Sequence, residues 1–265
     1  MESVVNRYWL WVDMQLITSR TLFASRIVER YGTGNSILDV GCAFGYITGR
    51  MISMKPSLLV GGDIDSNSIK YAHRQLKGQG VHFVIFDAQN IPFTNCAFDI
   101  IIAFEIIEHL PDHVKFIEEC YRVLKKGGLL ICSTPNRELF SPGTKPWYPG
   151  HVHEFTPEEL KVILDKYFER TELWGICKKS PVPQMIGKVI NSPKPFLLRA
   201  ILRNAVVYRL LVILSNIFLR GSLKRFRIGA RPIDTCALDG EYLPYPSSNR
   251  KFSPYDILSV SYKGM

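Results

Sequence analysis

Residues 36–45 read SILDVGCAFG, a short apolar run that ends in a turn with two glycines. The run predicts a strand at 36–41. Similar runs predict further strands at 58–63, 82–86, 98–104, 128–134, 169–176 and 256–263. Short strands that alternate with helical stretches are typical of a parallel sheet covered by helices. We therefore predict an α/β fold.

Helices are predicted between these strands from the residues at their ends. The clearest lies at 157–167, because Thr156 suits an N-cap and Pro157 suits the first helical position. Ser66 is expected to open a second helix at 66–77. The other helices are predicted at 7–31, 45–54 and 112–125.

The composition indicates a globular protein. With 46% hydrophobic and 22% charged residues, the chain is neither intrinsically disordered nor fibrous. Its six cysteines include no C-x-x-C pair, so we expect buried thiols rather than a disulfide framework. The N-terminus has no uninterrupted apolar core and no cleavage site of a secretory signal. We therefore expect a cytoplasmic protein.

The positive charge belongs to one segment. The chain has 33 Lys and Arg against 24 Asp and Glu, a net charge of +9. Residues 181–233 contain ten basic residues and no acidic one, so the rest is nearly neutral. The net charge is therefore no reason to expect a nucleic-acid-binding protein.

Acidic residues stand where three predicted strands end. Asp39 ends the first strand, Asp63 ends the second, and Asp87 follows the third. After the first strand comes the glycine turn, where the backbone can approach a ligand and free N–H groups point at it. A dinucleotide-binding G-x-G-x-x-G motif would need glycine at the positions of Ala43 and Tyr46, which weakens that interpretation.

The D-x-G-x-A-x-G turn and three acids at this spacing resemble the class I S-adenosylmethionine-dependent methyltransferases. The resemblance covers about residues 30–180 and the last strand. It implies a Rossmann-like fold, with a seven-stranded, mostly parallel sheet and an antiparallel last strand. It also implies S-adenosylmethionine as cofactor, with Asp63 at the ribose hydroxyls, Asp87 at the adenine amino group and Asp39 facing the ammonium group. The implied cofactor-binding residues are Asp39, Gly41, Cys42, Ala43, Gly45, Asp63, Ile64, Asp87, Ala88 and Phe104.

A second cluster follows the fourth predicted strand, in the string EIIEHLP at 105–111. On a helical turn, Glu105, Glu108 and His109 lie on one face, at i, i+3 and i+4. They could hold a divalent cation such as Mg²⁺, or His109 could act as a general base that Glu108 orients. Alternatively, Glu108 and His109 only cap the next helix. The E-x-x-E-H pattern resembles the ubiquinone-biosynthesis O-methyltransferases, where it is associated with a metal near the acceptor hydroxyl.

Two more strings resemble the same branch: STPNR at 133–137 and HVHEFTPEEL at 151–160. They imply that His151 and His153 face the methyl acceptor, and loop hydrogen bonding is the alternative role for both. The chain lacks, after the fourth strand, the N/D-P-P-Y/F string of enzymes that methylate amino groups of nucleic acids. We therefore expect O-methylation of a small or lipid-linked acceptor, such as a quinone precursor, a glycan or a lipid.

The basic segment interrupts the predicted final hairpin. Within it, residues 196–219 contain 18 apolar residues interrupted by three arginines. A single membrane crossing would leave the last strand on the wrong side, so the segment is a lid, a membrane-interface helix over 196–227 or a dimerisation element. The predicted division is an N-terminal helical cover at 1–35, a methyltransferase core at 36–180, a basic apolar helical insertion at 181–250 and a returning strand at 251–265.

Two alternative functions stay open. An RNA or protein methyltransferase could dock through the basic insertion. A nucleoside-binding module could have lost catalysis, as Ala43 in place of the commoner glycine allows.

Overall fold

The described part of the chain folds around one sheet. The structure, a computed structural model, describes residues 20–141, 146, 150–178, 240–244 and 256–265. Its strands are β1 (Ser36–Val40), β2 (Leu58–Asp63), β3 (Val81–Ile85), β4 (Phe98–Phe104), β5 (Leu124–Pro135), β6 (Arg170–Lys178), β7 (Gly240–Pro244) and β8 (Asp256–Tyr262). Their order across the sheet is β3-β2-β1-β4-β5-β8-β6-β7.

The first five strands run parallel, and β8 runs antiparallel between β5 and β6. This confirms the predicted α/β fold with a mostly parallel sheet and an antiparallel last strand. The sheet has one strand more than the seven predicted, because β7 pairs antiparallel with β6 at the edge. Residues 240–244 are therefore a strand, although they fall within the helical insertion predicted at 181–250. The rest of that insertion lies outside the described residues.

Helices cover both faces of the sheet. They are α1 (residues 20–31), α2 (Tyr46–Met51), α3 (Ser66–Gln75), α4 (His113–Val123), α5 (Arg137–Phe140) and α6 (Pro157–Leu164). The helix predicted at 7–31 is thus present over 20–31, and residues 7–19 lie outside the described part. No helix among the described residues is long and apolar enough to cross a membrane, and 196–219 was not among those residues.

The sequence predicted the N-cap of one helix correctly and that of another wrongly. Thr156 is the predicted N-cap of α6, and with Glu159 it forms a capping box. At α3 the N-cap is Asp65 rather than Ser66, and its carboxylate accepts two backbone N–H groups of the first turn. A carboxylate there also opposes the positive end of the helix dipole, which a neutral hydroxyl does not.

The boundary between α4 and β5 differs from the prediction. α4 ends at Val123 and β5 begins at Leu124, four residues before the predicted strand. Leu124 is extended and buried, and it pairs with Phe98 of β4. Burial of a leucine side chain contributes about 1.5–3 kcal/mol, which favours the sheet over another helical turn.

Two apolar layers hold the sheet. On one face, α4 and α6 pack through residues such as Phe116 and Leu160, and Ile101 of β4 points into this layer. On the other face, α1 packs through Phe23 and its neighbours, together with Ile102 of β4. Strands that are buried on both faces have continuous apolar sequences, which is why the sequence predicted β1 and β4 so clearly.

Candidate active site

The candidate site lies at the carboxyl edge of the parallel strands. β2 and β4 pair with opposite sides of β1. The strand order therefore reverses at β1, which makes this position the topological switch point of the sheet. In open α/β sheets, ligands bind in the crevice outside such a switch point. The turns that follow β1, β2, β3 and β4 all emerge at this edge.

The glycine turn after β1 packs closely on the turn after β4. Gly41 has a φ of +73°, and a Cβ there would lie 2.7 Å from Cδ1 of Ile106. Gly45 has a φ of +75°, and a Cβ there would lie 2.9 Å from Cβ of Ala72. Both positions therefore require glycine on backbone and steric grounds. Between them, Ala43 is also left-handed, with a φ of 45°.

Asp63 holds this turn against β2. Its Oδ2 accepts the N–H of Ala43 at 2.9 Å, and its Oδ1 accepts the N–H of Asp65 at 2.9 Å. A carboxylate has about four acceptor positions, so these bonds leave room for ligand hydroxyls. The next side chain, Ile64, is apolar and 70% exposed. Together they provide a polar and an apolar surface side by side.

Asp39 is the buried acid of the site. Its side chain is almost inaccessible, and its Oδ2 accepts a 2.5 Å hydrogen bond from Oγ1 of Thr48. Burial raises the pKa of Asp39 to about 7, although the Thr48 hydrogen bond lowers it. A cationic group beside Asp39 would favour the carboxylate form.

Asp87 is held by its own loop. Its Oδ1 accepts the backbone N–H of Gln89 at 2.9 Å, and Oε1 of Gln89 accepts the N–H of Asp112 at 2.9 Å. The loop after β3 is therefore tied to the start of α4. The side chains of Ala88 and Phe104 are buried among apolar core residues. Cys42 is likewise buried.

Glu105 is bound on the other side of the crevice. Its Oε2 pairs with the buried Arg20 of α1 at 2.7 Å, and its Oε1 accepts the hydroxyl of Ser133 at 2.8 Å. Arg20 also pairs with Asp256 at the start of β8, at 2.8 Å. Arginine was not predicted at this site, because Arg20 lies 236 residues from Asp256 in the sequence.

Glu108 lies in a short 3-10 turn (Ile107–His109) and is completely buried. Its Oε2 accepts the hydroxyl of Thr134 at 3.1 Å. Its Oε1 has no hydrogen-bond partner among the described residues. Burial, and then the charge of Glu105, raise the pKa of Glu108 well above its usual value.

His109 and His151 form a ring pair, with centroids 4.8 Å apart. Nδ1 of His109 lies 2.9 Å from the carbonyl oxygen of Gly150, which can only accept, so Nδ1 carries the proton. Nδ1 of His151 lies 2.6 Å from Oε1 of the buried Glu154. Burial lowers the pKa of His109, so the neutral ring is favoured.

The loop that contains His151 is fixed to Glu108. The carbonyl oxygen of Glu108 accepts the N–H of Val152 at 2.8 Å and of His153 at 3.2 Å. His153 itself stacks on His113, with ring centroids 5.6 Å apart. The structure therefore brings His151, but not the ring of His153, to the His109 side of the loop.

These contacts change the predicted metal-binding set of Glu105, Glu108 and His109. In the part of the chain that the structure describes, the group with suitably placed ligand atoms is Glu108, His109 and His151, all within 4.8 Å of one another. Glu105 is bound to Arg20 instead. The motif predicted two of these ligands, and only the folded loop reveals the third.

Comparisons with known proteins identify a matching family and several relatives. A family model described as a methyltransferase domain matches residues 38–132. A probable S-adenosylmethionine-dependent methyltransferase from Mycolicibacterium smegmatis is 34% identical over 145 residues, which are 54% of this chain and 55% of that protein. A ubiquinone biosynthesis O-methyltransferase from Cereibacter sphaeroides is 27% identical over 147 residues, 50% of this chain and 59% of that one. The chain thus spans little more than half the length of these curated relatives.

Solved structures show the same fold. The crystal structure of an S-adenosylmethionine-dependent methyltransferase from Thermotoga maritima, described as a possible histamine N-methyltransferase, superposes with a TM-score of 0.58. The superposition covers 98% of this chain and 95% of that one at 17% identity. At that identity the likeness concerns the fold alone. The predicted Rossmann-like fold is confirmed.

Proposed function

Because residues 38–132 form a class I S-adenosylmethionine-dependent methyltransferase domain, we propose that this protein methylates a hydroxyl oxygen of a small or lipid-linked acceptor. The observation that supports the oxygen acceptor best is the group of Glu108, His109 and His151 at the ligand-binding edge of the sheet. The named activity of the ubiquinone-biosynthesis relative also supports it.

The crevice suits the methyl donor. S-adenosylmethionine supplies a methyl group on a positively charged sulfur, which a nucleophile in line with it can accept. The glycine turn brings backbone N–H groups to the crevice, and Asp63 offers acceptors for ribose hydroxyls beside the apolar Ile64. Asp87 offers acceptors for an adenine amino group, and Asp39 a buried negative charge for an ammonium group.

A hydroxyl acceptor has to lose its proton as the carbon–oxygen bond forms. In the protein without a metal, Nε2 of His109 takes that proton, because Nδ1 already donates to Gly150. The methyl group goes to the oxygen and the proton to the imidazole. The positive charge of the resulting imidazolium favours the carboxylate form of Glu108, whose pKa burial otherwise raises, and that carboxylate then stabilises the imidazolium. Much of the remaining acceleration comes from alignment of the donor and the acceptor.

Binding of the donor tests the proposal first. Calorimetry with S-adenosylmethionine and with S-adenosylhomocysteine should show binding to the parent chain and at least tenfold weaker binding to Asp63→Ala, since Asp63 holds the turn and, in this proposal, also accepts from the ribose hydroxyls. Asp165→Ala, an exposed acid at the end of α6, is the matched control and should bind normally. No binding by the parent chain would refute the proposed function.

Transfer of a labelled methyl group tests the acceptor class. Label should enter hydroxyl groups in fractions of quinone precursors, glycans or lipids, and His109→Gln should transfer it at least 100-fold more slowly while still binding the donor. Donor binding without transfer to any fraction would favour a non-catalytic nucleoside-binding module. Label in RNA or protein would favour the alternative acceptors.

A further inference from the structure

We propose that Glu108, His109 and His151 form a binding site for one transition-metal ion such as Zn²⁺, with His151 in the place that the motif assigns to Glu105. The role of the ion in catalysis rests on the proposed function. Binding of the ion does not, because it depends only on these three residues.

The donor atoms favour a transition metal over Mg²⁺. The group offers two imidazole nitrogens and one carboxylate oxygen. Imidazole nitrogen suits Zn²⁺ and other first-row transition metals, whereas Mg²⁺ prefers oxygen ligands and retains water. Replacing Glu105 with His151 therefore changes the kind of ion expected as well as the ligand set.

Both histidines are held in the form that binds metals. In protein metal sites, the ring nitrogen that does not bind the ion donates to a carbonyl or a carboxylate. Here Nδ1 of His109 faces the carbonyl oxygen of Gly150, and Nδ1 of His151 faces the carboxylate of Glu154. When Nδ1 donates these hydrogen bonds, Nε2 is the ring nitrogen that can bind a cation.

Glu108 supplies the second observation. Its Oε1 is buried and has no hydrogen-bond partner among the described residues. Buried carboxylate oxygens normally have a partner, and a cation is one that would satisfy this oxygen. The other oxygen is held by Thr134, which limits rotation of the carboxylate.

The ligand atoms have to draw together to bind an ion. One ligand atom from each of the three residues lies within 4.8 Å of the others. Tetrahedral ligands at about 2.0–2.2 Å from Zn²⁺ lie about 3.3–3.6 Å apart, so a pair at 4.8 Å would close by about 1.2–1.5 Å. Because Val152 and His153 bind the carbonyl oxygen of Glu108, the loop keeps His151 beside that residue.

An ion pair also keeps Glu105 away from the proposed metal site. Arg20 pairs with Glu105 at 2.7 Å and is itself buried. A metal would have to break this pair to recruit Glu105. A bound divalent cation would supply Lewis acidity near the acceptor, which lowers the pKa of a hydroxyl group.

Metal content of the full-length chain tests the proposal. The protein is stripped with a chelator, dialysed against limiting Zn²⁺ or against Mg²⁺, and analysed by elemental mass spectrometry. We expect one equivalent of Zn²⁺, at least tenfold preference over Mg²⁺ at equal concentration, and loss of the ion in His151→Ala and Glu108→Gln. Glu154→Gln should weaken binding about 10- to 100-fold.

Two matched controls keep the ligand set falsifiable. Glu105→Gln removes the residue that the motif predicts, and His153→Ala removes a histidine two positions from His151. Both should retain the ion. Loss of Zn²⁺ in Glu105→Gln with retention in His151→Ala would overturn the proposed set. Circular dichroism identifies any variant that does not fold, and the visible spectrum of a Co²⁺-loaded parent chain, changed by His151→Asn, gives an independent measure of imidazole ligation.

The metal site and the methyl transfer can fail separately. Stoichiometric Zn²⁺ without donor binding would refute the proposed function and leave the metal site. Donor binding and methyl transfer by a chain that takes up no Zn²⁺ would overturn the metal site and leave His109 as the base.

Discussion

At the scale of single residues, Asp39 makes stability depend on pH. Burial raises its pKa to about 7 in the folded chain, against about 3.9 when unfolded. The folded state thus binds the proton more tightly. Below pH 4 the ionisation of Asp39 does not change the free energy of unfolding, and between pH 4 and pH 7 it lowers that free energy progressively. We expect Asp39→Asn to stabilise the chain at pH 8 by roughly 1–4 kcal/mol and to change it little at pH 4.

Urea denaturation at the two pH values measures this difference. Asp165→Asn is the control at an exposed position, and it should change the free energy of unfolding by the same small amount at pH 4 and at pH 8. An equal effect of Asp39→Asn at pH 4 and pH 8 would contradict the prediction. The same variant should bind the methyl donor more weakly, because it would lack the negative charge that we propose for contact with the ammonium group. Gain of stability with loss of binding is typical of residues that are kept for function.

Some residues of the site were predictable because their signals are local. Asp39 and Asp63 lie at the ends of apolar strands and Asp87 follows another, and parallel strands bring their carboxyl ends together. His151 was predicted to face the acceptor, but its place beside Glu108 depends on two backbone hydrogen bonds from a distant loop. The capping alternative for Glu108 was reasonable from sequence, yet the N-cap of α4 is Asp112.

At the scale of secondary-structure elements, Arg20 connects α1 with β8 and with the turn after β4. Its guanidinium pairs with Asp256 and Glu105, and Asp256 is nearly inaccessible. Removing one partner from a buried ion pair leaves an uncompensated charge and typically costs about 3–5 kcal/mol. We expect Arg20→Met to lower the unfolding free energy by about that amount.

Urea denaturation at neutral pH tests this, with Arg30→Met as the control. Arg30 lies on the exposed face of α1, so its loss should change the unfolding free energy by less than about 0.5 kcal/mol. Equal effects of the two substitutions would show that the buried ion pairs do not connect the elements as described.

The elements also show why sequence patterns predict some boundaries and miss others. α6 begins where predicted, because its capping box is complete within four residues. β5 begins earlier than predicted, because Leu124 pairs with Phe98, which lies 26 residues away. β7 was missed for the same reason: its pairing with β6 joins residues separated by the whole basic segment. The sequence predicted a boundary when its signal lies within a few consecutive residues. It missed a boundary when that boundary depends on pairing with a distant strand.

At the scale of the whole molecule, the charge is distributed unevenly. Residues 181–233 contain ten basic residues and no acid, whereas the rest of the chain contains all 24 acidic residues and is nearly neutral. This segment lies outside the described residues, so its role is argued from the sequence. It combines positive charge with apolar stretches, which suits contact with the surface of an anionic membrane. A lipid-linked acceptor would be found at that surface.

Flotation with liposomes tests this contact. Each Lys or Arg near an anionic surface contributes about 1 kcal/mol, so the seven basic residues of 196–227 should suffice for binding in low salt. We expect the chain to float with anionic vesicles but not with neutral ones, and to detach as salt screens the charges. Deletion of 196–227 should abolish flotation, and changing its seven basic residues to glutamine should do so without removing the apolar residues.

If the glutamine variant floats as well as the parent chain, the contact is not electrostatic. If the parent chain does not float at all, the lid and dimerisation alternatives remain for this segment.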